Sequence, residues 1–135
     1  EWLYEAERDL RHGVGRADED GWAAYVQPDE SGYLVYGPYA QDWAAGELSA
    51  SFRLMIDVVN DRPEIVATVD VYDADTGEIL VIQNVLRSDF RERFSYQDFT
   101  VNFSTAGRQG HRMETRVFWH DISFVRVDRV LVERR

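Results

Sequence analysis

Leu48, Ala50, Phe52, Leu54, Ile56 and Val58 alternate with Glu47, Ser49, Ser51, Arg53 and Asp57, the period of a long extended strand with one buried face. Met55 is the one apolar residue on its outer side. No stretch sustains an apolar i, i+3, i+4, i+7 pattern long enough for a helix, so the chain reads as all-β. Shorter strand patterns run over Trp2–Glu7, Ala23–Val26, Gly32–Tyr39, Ile65–Tyr72, Ile79–Leu86, Gln97–Ser104, Arg112–Trp119 and Phe124–Glu133. With the long strand they make about nine.

Breakers separate these segments at Pro28–Gly32, Asn60–Pro63, Asp73–Gly77 and Ala106–Gly110. Short strands punctuated this regularly predict a β-sandwich of two antiparallel sheets. A length of 135 residues with 44% hydrophobic composition suits one domain, 1–135, with its own core.

Charge and cysteine content narrow the function. Twenty-five acidic against fifteen basic residues give a net charge of −10, which opposes phosphate backbones and argues against nucleic acid as a partner. Cysteine is absent, which excludes disulfides, thiolate catalysis and cysteine-ligated metals. No apolar run approaches the roughly 20 residues of a membrane span. The first residues are strand-like and lack the form of a secretory signal, as expected of a domain excised from a longer chain.

Two groups of side chains bear chemistry. Glu5 and Glu7 are two apart, hence on one face of an extended strand, and Asp128 lies on the last strand. If the first and last strands are neighbours, the three carboxylates can converge on calcium, whose flexible oxygen shell tolerates ligands distant in sequence. On spacing alone a solvated acidic face is the simpler reading. Aromatic residues at strand ends form the second group: Trp22 after Asp20-Gly21, Tyr39 before Ala40-Gln41-Asp42-Trp43, and Trp119 followed by His120 and Asp121. Rings beside hydrogen-bonding side chains suit sugars, although large rings also cap sandwich cores.

Other motifs point away from catalysis. Asp73–Glu78 lacks the ligand spacing of an EF-hand and reads as a hairpin turn with Gly77 at positive φ. His12, His111 and His120 show no zinc-site spacing, and no Gly-x-Ser-x-Gly elbow or phosphate-binding glycine loop is present. The chain is therefore expected not to be an enzyme.

Taken in order, Glu5-Ala6-Glu7, Gly32-Tyr33-Leu34-Val35, Gly46–Arg53 and Val127-Asp128-Arg129-Val130 resemble the segments of the β-sandwich carbohydrate-binding modules of families 6 and 35, a galactose-binding-domain-like group. The segment after Arg53 departs from the family's continuation, and the final loop lacks its frequent asparagine. The resemblance implies a jelly-roll sandwich and a structural calcium on Glu5, Glu7 and Asp128. It also implies an end-loop ligand site near Trp22, Tyr39, Trp119, His120 and Asp121. The expected function is non-catalytic binding of an oligo- or polysaccharide, outside the cell or at its surface, alongside other domains of a parent chain. The alternative is an accessory sandwich that makes domain contacts without binding sugar.

Overall fold

In the computed structural model, which describes residues 1–135, the alternating segment forms a ten-residue strand, Glu47–Ile56. Its Leu48, Ala50, Phe52, Leu54 and Ile56 are fully buried. In chain order the strands are β1 (Trp2–Glu5), β2 (Arg16–Asp18), β3 (Gly21–Ala24), β4 (Gly32–Val35), β5 (Pro38–Ala40) and β6 (Glu47–Ile56). There follow β7 (Ile65–Asp73), β8 (Glu78–Leu86), β9 (Gln97–Ser104), β10 (Met113–Trp119) and β11 (Val125–Arg134), with one 3₁₀ turn at Arg87–Asp89.

The strands form two antiparallel sheets. One runs β2-β3-β11-β6-β9 with β1 also on β11, and the other runs β4-β10-β7-β8 with β5 also on β10. Along one edge β11 pairs first with β3 and then with β1; along the other it pairs with β6. The chain's two ends are thereby laid side by side. A cluster of 27 buried apolar residues fills the space between the sheets. Each fully buried Leu or Val contributes roughly 1.5–3 kcal/mol, against about 0–1 kcal/mol for a surface ion pair, so this layer holds the fold.

Eleven strands replace the expected nine for two local reasons. Gly32–Tyr39 is divided into β4 and β5 at Gly37, whose φ of +90° turns the backbone out of the extended region. Arg16–Asp18 is too short to show a period but pairs with β3. Met55 proves to be 5% exposed, because it joins Ala23 and Phe124 in a second small apolar cluster.

Candidate functional site

Four connections gather at one end of the sandwich: those after β3, β6, β8 and β10. Between them opens a cleft of about 440 Å³. Tyr25, Val26, Val58, Ile122 and Phe124 form its apolar walls, and Asp57, Asn60, Glu64, Arg87 and Ser123 supply its polar groups. Arg87 joins the base together. It donates from Nε to Glu64 Oε1 at 2.7 Å, from Nη1 to Val58 O at 2.9 Å and Ser123 Oγ at 3.1 Å, and from Nη2 to Ile122 O at 3.1 Å. Ser123 Oγ in turn donates to Asp57 Oδ1 at 3.0 Å. One guanidinium thus fixes the loops after β6 and β10 against each other.

Beside the cleft stands Phe94, with its ring centroid 6.2 Å from that of Phe124. It is 61% exposed, and its φ is +54°. A large aromatic residue rarely adopts that backbone region and gains nothing from water. Its amide donates to Ile56 O at 2.8 Å, which holds the loop in this conformation. Val26, Val58 and Ile122 are 42–50% exposed, so the end is rimmed by apolar surface.

The residues singled out by sequence are distributed differently from the expectation. Trp119 is fully buried and donates from Nε1 to Ser123 O at 2.6 Å; it supports the loop after β10 and offers no face to a ligand. Trp22 stacks on His12 at 3.5 Å and donates from Nε1 to Val14 O, away from the cleft lining. Tyr39 lies on β5 beneath the Arg11 guanidinium, 5.0 Å from its ring. His120 lies 2.7 Å from Thr68 Oγ1, and burial lowers its pKa, which favours the neutral ring. Asp121 is exposed, one residue before Ile122 of the cleft wall. Large rings attract attention in a sequence, but Trp119 is needed by the core and the loop beneath it, and Trp22 packs against the core. Arg87 and Phe94 carry no sequence motif; their roles arise from contacts 23 to 38 residues distant.

At the junction of first and last strands the geometry also differs in part. β1 ends at Glu5, and Glu7 sits in a turn closed by Arg8 N and Asp9 N donating to Glu5 O. The two glutamates therefore do not share a strand face. Asp128 occupies an irregularity in β11, where its carbonyl accepts from Ala6 N at 3.0 Å. Burial, then the carboxylates of Asp128 and Glu7, push Glu5 above its ordinary pKa; burial, then Asp20, push Asp128 up. Arg53 Nε approaches Asp128 Oδ2 at 3.3 Å. Glu7 Oε1 is buried without a hydrogen-bond partner.

A tighter trio lies elsewhere: donor atoms of Asp73, Asp75 and His111 all fall within 4.8 Å of one another. Arg108 and Arg112 already bind these carboxylates at 2.8 and 2.6 Å, so the group is an ion-pair lock between the β7–β8 hairpin and the loop before β10.

No protein-family model matches the chain, and a search of curated proteins finds no match. Solved structures do match. The carbohydrate-binding module CBM6cm-2 from Cellvibrio mixtus lichenase 5A, in complex with cellotriose, superposes with a TM-score of 0.51 at 10% identity, covering 99% of this chain and 97% of that one. A CBM4 structure gives a TM-score of 0.57 at 14% identity over 99% and 86% of the two chains. The C-terminal CBM6 of LamC from Zobellia galactanivorans gives 0.51 at 11% identity over 98% of each. At such identities shape alone is compared, and on shape the chain has the β-sandwich fold of the carbohydrate-binding modules.

Proposed function

We propose that the chain is a non-catalytic carbohydrate-binding module of a larger extracellular or surface protein, and that it takes its sugar in the end cleft. The observation that carries this reading is Phe94, an exposed ring held at positive φ beside an open cleft with aromatic and hydrogen-bonding walls. Sugar C–H faces stack on such rings while hydroxyls meet the polar groups. The three fold neighbours named above support binding over catalysis, since they are carbohydrate-binding modules and one is in complex with cellotriose. Asp121, at the edge of the cleft, remains part of the proposed contact surface; Trp22, Tyr39 and Trp119 do not.

Calcium belongs to the same proposal. Glu5, Glu7 and Asp128 would hold it, tying β1 to β11. The unpartnered, buried Glu7 Oε1 and the raised pKa of Glu5 and Asp128 fit a site short of positive charge.

Phe94→Ala tests the cleft. The side chain is exposed, so stability should change by less than about 0.5 kcal/mol. Glycan affinity should fall roughly three- to tenfold. Unchanged affinity would move the site to another surface, and a glycan array with no binding in calcium would remove the function.

A second reading has one observation in its favour. β8 is an edge strand with Ile79 48% and Ile82 57% exposed, a surface suited to contact with another domain.

A further inference from the structure

We infer that the cleft selects an uncharged, hydroxyl-rich glycan and rejects uronate or sulfated chains, an inference that rests on the carbohydrate-binding reading above. Arg87 is the only cation in the cleft lining, and from a residue list it would mark an anion site. Its hydrogen bonds exclude that role. A guanidinium has five N–H donors, and Arg87 directs four of them at Glu64 Oε1, Val58 O, Ser123 Oγ and Ile122 O. The residue is 6% exposed, so the positive charge lies beneath the floor, locked to the protein's own acceptors.

The polar groups left for a ligand are mostly acceptors. Asp57 uses Oδ1 to accept from Ser123, and Glu64 uses Oε1 to accept from Arg87, leaving Asp57 Oδ2 and Glu64 Oε2 free. Asn60 uses Oδ1 to accept from Arg62 N, leaving its amide N–H groups as donors. A sugar hydroxyl both donates and accepts, and so satisfies the carboxylates and the amide together. The carboxylate of a uronate, or a sulfate group, only accepts. It would meet Asp57, which has no cationic partner, and Glu64, whose one partner is the buried Arg87, so the lining keeps an excess of negative charge on a protein of net charge −10. The surrounding Tyr25, Val58, Ile122 and Phe124 offer apolar contact that a ring bearing C–H faces uses and a charged group does not.

Titration calorimetry of the whole chain at fixed ionic strength separates the outcomes. Neutral cello-, xylo- and manno-oligosaccharides are set against oligogalacturonate and sulfated oligosaccharides of matched length. A neutral ligand should bind at least about tenfold more tightly than its acidic counterpart. Glu64→Gln and Asp57→Asn, each keeping the oxygen that accepts within the protein, should weaken neutral binding about tenfold. An acidic ligand that binds as tightly as the neutral one and is weakened by Phe94→Ala overturns the selectivity while leaving the module reading intact. Neutral binding that neither carboxamide variant alters also overturns it. Binding of neither class removes the module reading itself, and this inference with it. The comparison on the unaltered chain decides selectivity even where a variant fails to fold.

Discussion

Asp73 has no exposed side-chain surface, yet Arg108 donates to its Oδ2 at 2.8 Å and His111 Nδ1 lies 2.7 Å from the same oxygen. The amides of Asp75 and Thr76 donate to Oδ1 at 2.9 and 3.2 Å. Burial alone would raise its pKa, but the hydrogen bonds from His111, Arg108 and the two amides outweigh it and hold the carboxyl well below the usual range. A depressed folded pKa means stability that is present above the ordinary carboxylate range and disappears as pH falls toward the folded value. Asp73→Asn should therefore lower stability by about 3 kcal/mol near pH 7, with the gap narrowing steadily as pH falls below the ordinary carboxylate range. Urea denaturation of both proteins across that range checks it; a gap that does not vary with pH would assign the loss to packing instead of charge.

Among the strands, β8 is the exposed edge whose side chains the fold uses least. Its sequence Glu78-Ile-Leu-Val-Ile-Gln-Asn-Val-Leu86 carries no proline or basic residue, and Ile79 and Ile82 face solvent. The edges of the other sheet are short or polar: β2 bears Arg16 and Asp18, and β9 turns Asp98, Thr100 and Asn102 outward. Long apolar edges template pairing with other chains. Ile82→Lys should leave the melting midpoint within the change expected of about 0.5 kcal/mol, yet suppress aggregation on heating, as followed by light scattering. Elements of this kind were legible because alternation survives in any strand with one buried face, as in β6 and β9. The break at Gly37 was not, since β5 depends on pairing with the distant β10, and β2 was not, since three residues are too few to show a period. The cleft was legible only as an end-loop location. Trp119 drew attention as a ring beside polar residues, but the burial that excludes it from ligand contact comes from the packing of both sheets. Arg87 was invisible because nothing local separates a buried staple from a surface arginine.

At the scale of the whole molecule, the topology places both chain ends on one strand pair and so brings three carboxylates close to where the fold closes. Glu5 pairs with Arg129 across β1 and β11, while Glu7 and Asp128 flank that pair and Glu7 Oε1 is left without a donor. Arg53 reaches Asp128, but no hydrogen bond satisfies Glu7 Oε1. The proposed calcium would complete this corner. Calcium would bind the folded corner and not the extended chain, adding about 2.7 kcal/mol at a hundredfold excess over its dissociation constant. Melting curves in calcium and in chelator should then differ by several degrees. Glu7→Gln separates this from a general salt effect. In chelator the variant should melt at or slightly above the parent, because a half-buried carboxylate with one unpartnered oxygen is replaced by a neutral group. In calcium it should fall below the parent, having lost a ligand. Identical parent curves in calcium and chelator would sink the metal, and a Glu7→Gln protein that keeps the full calcium shift would place the ion on other oxygens.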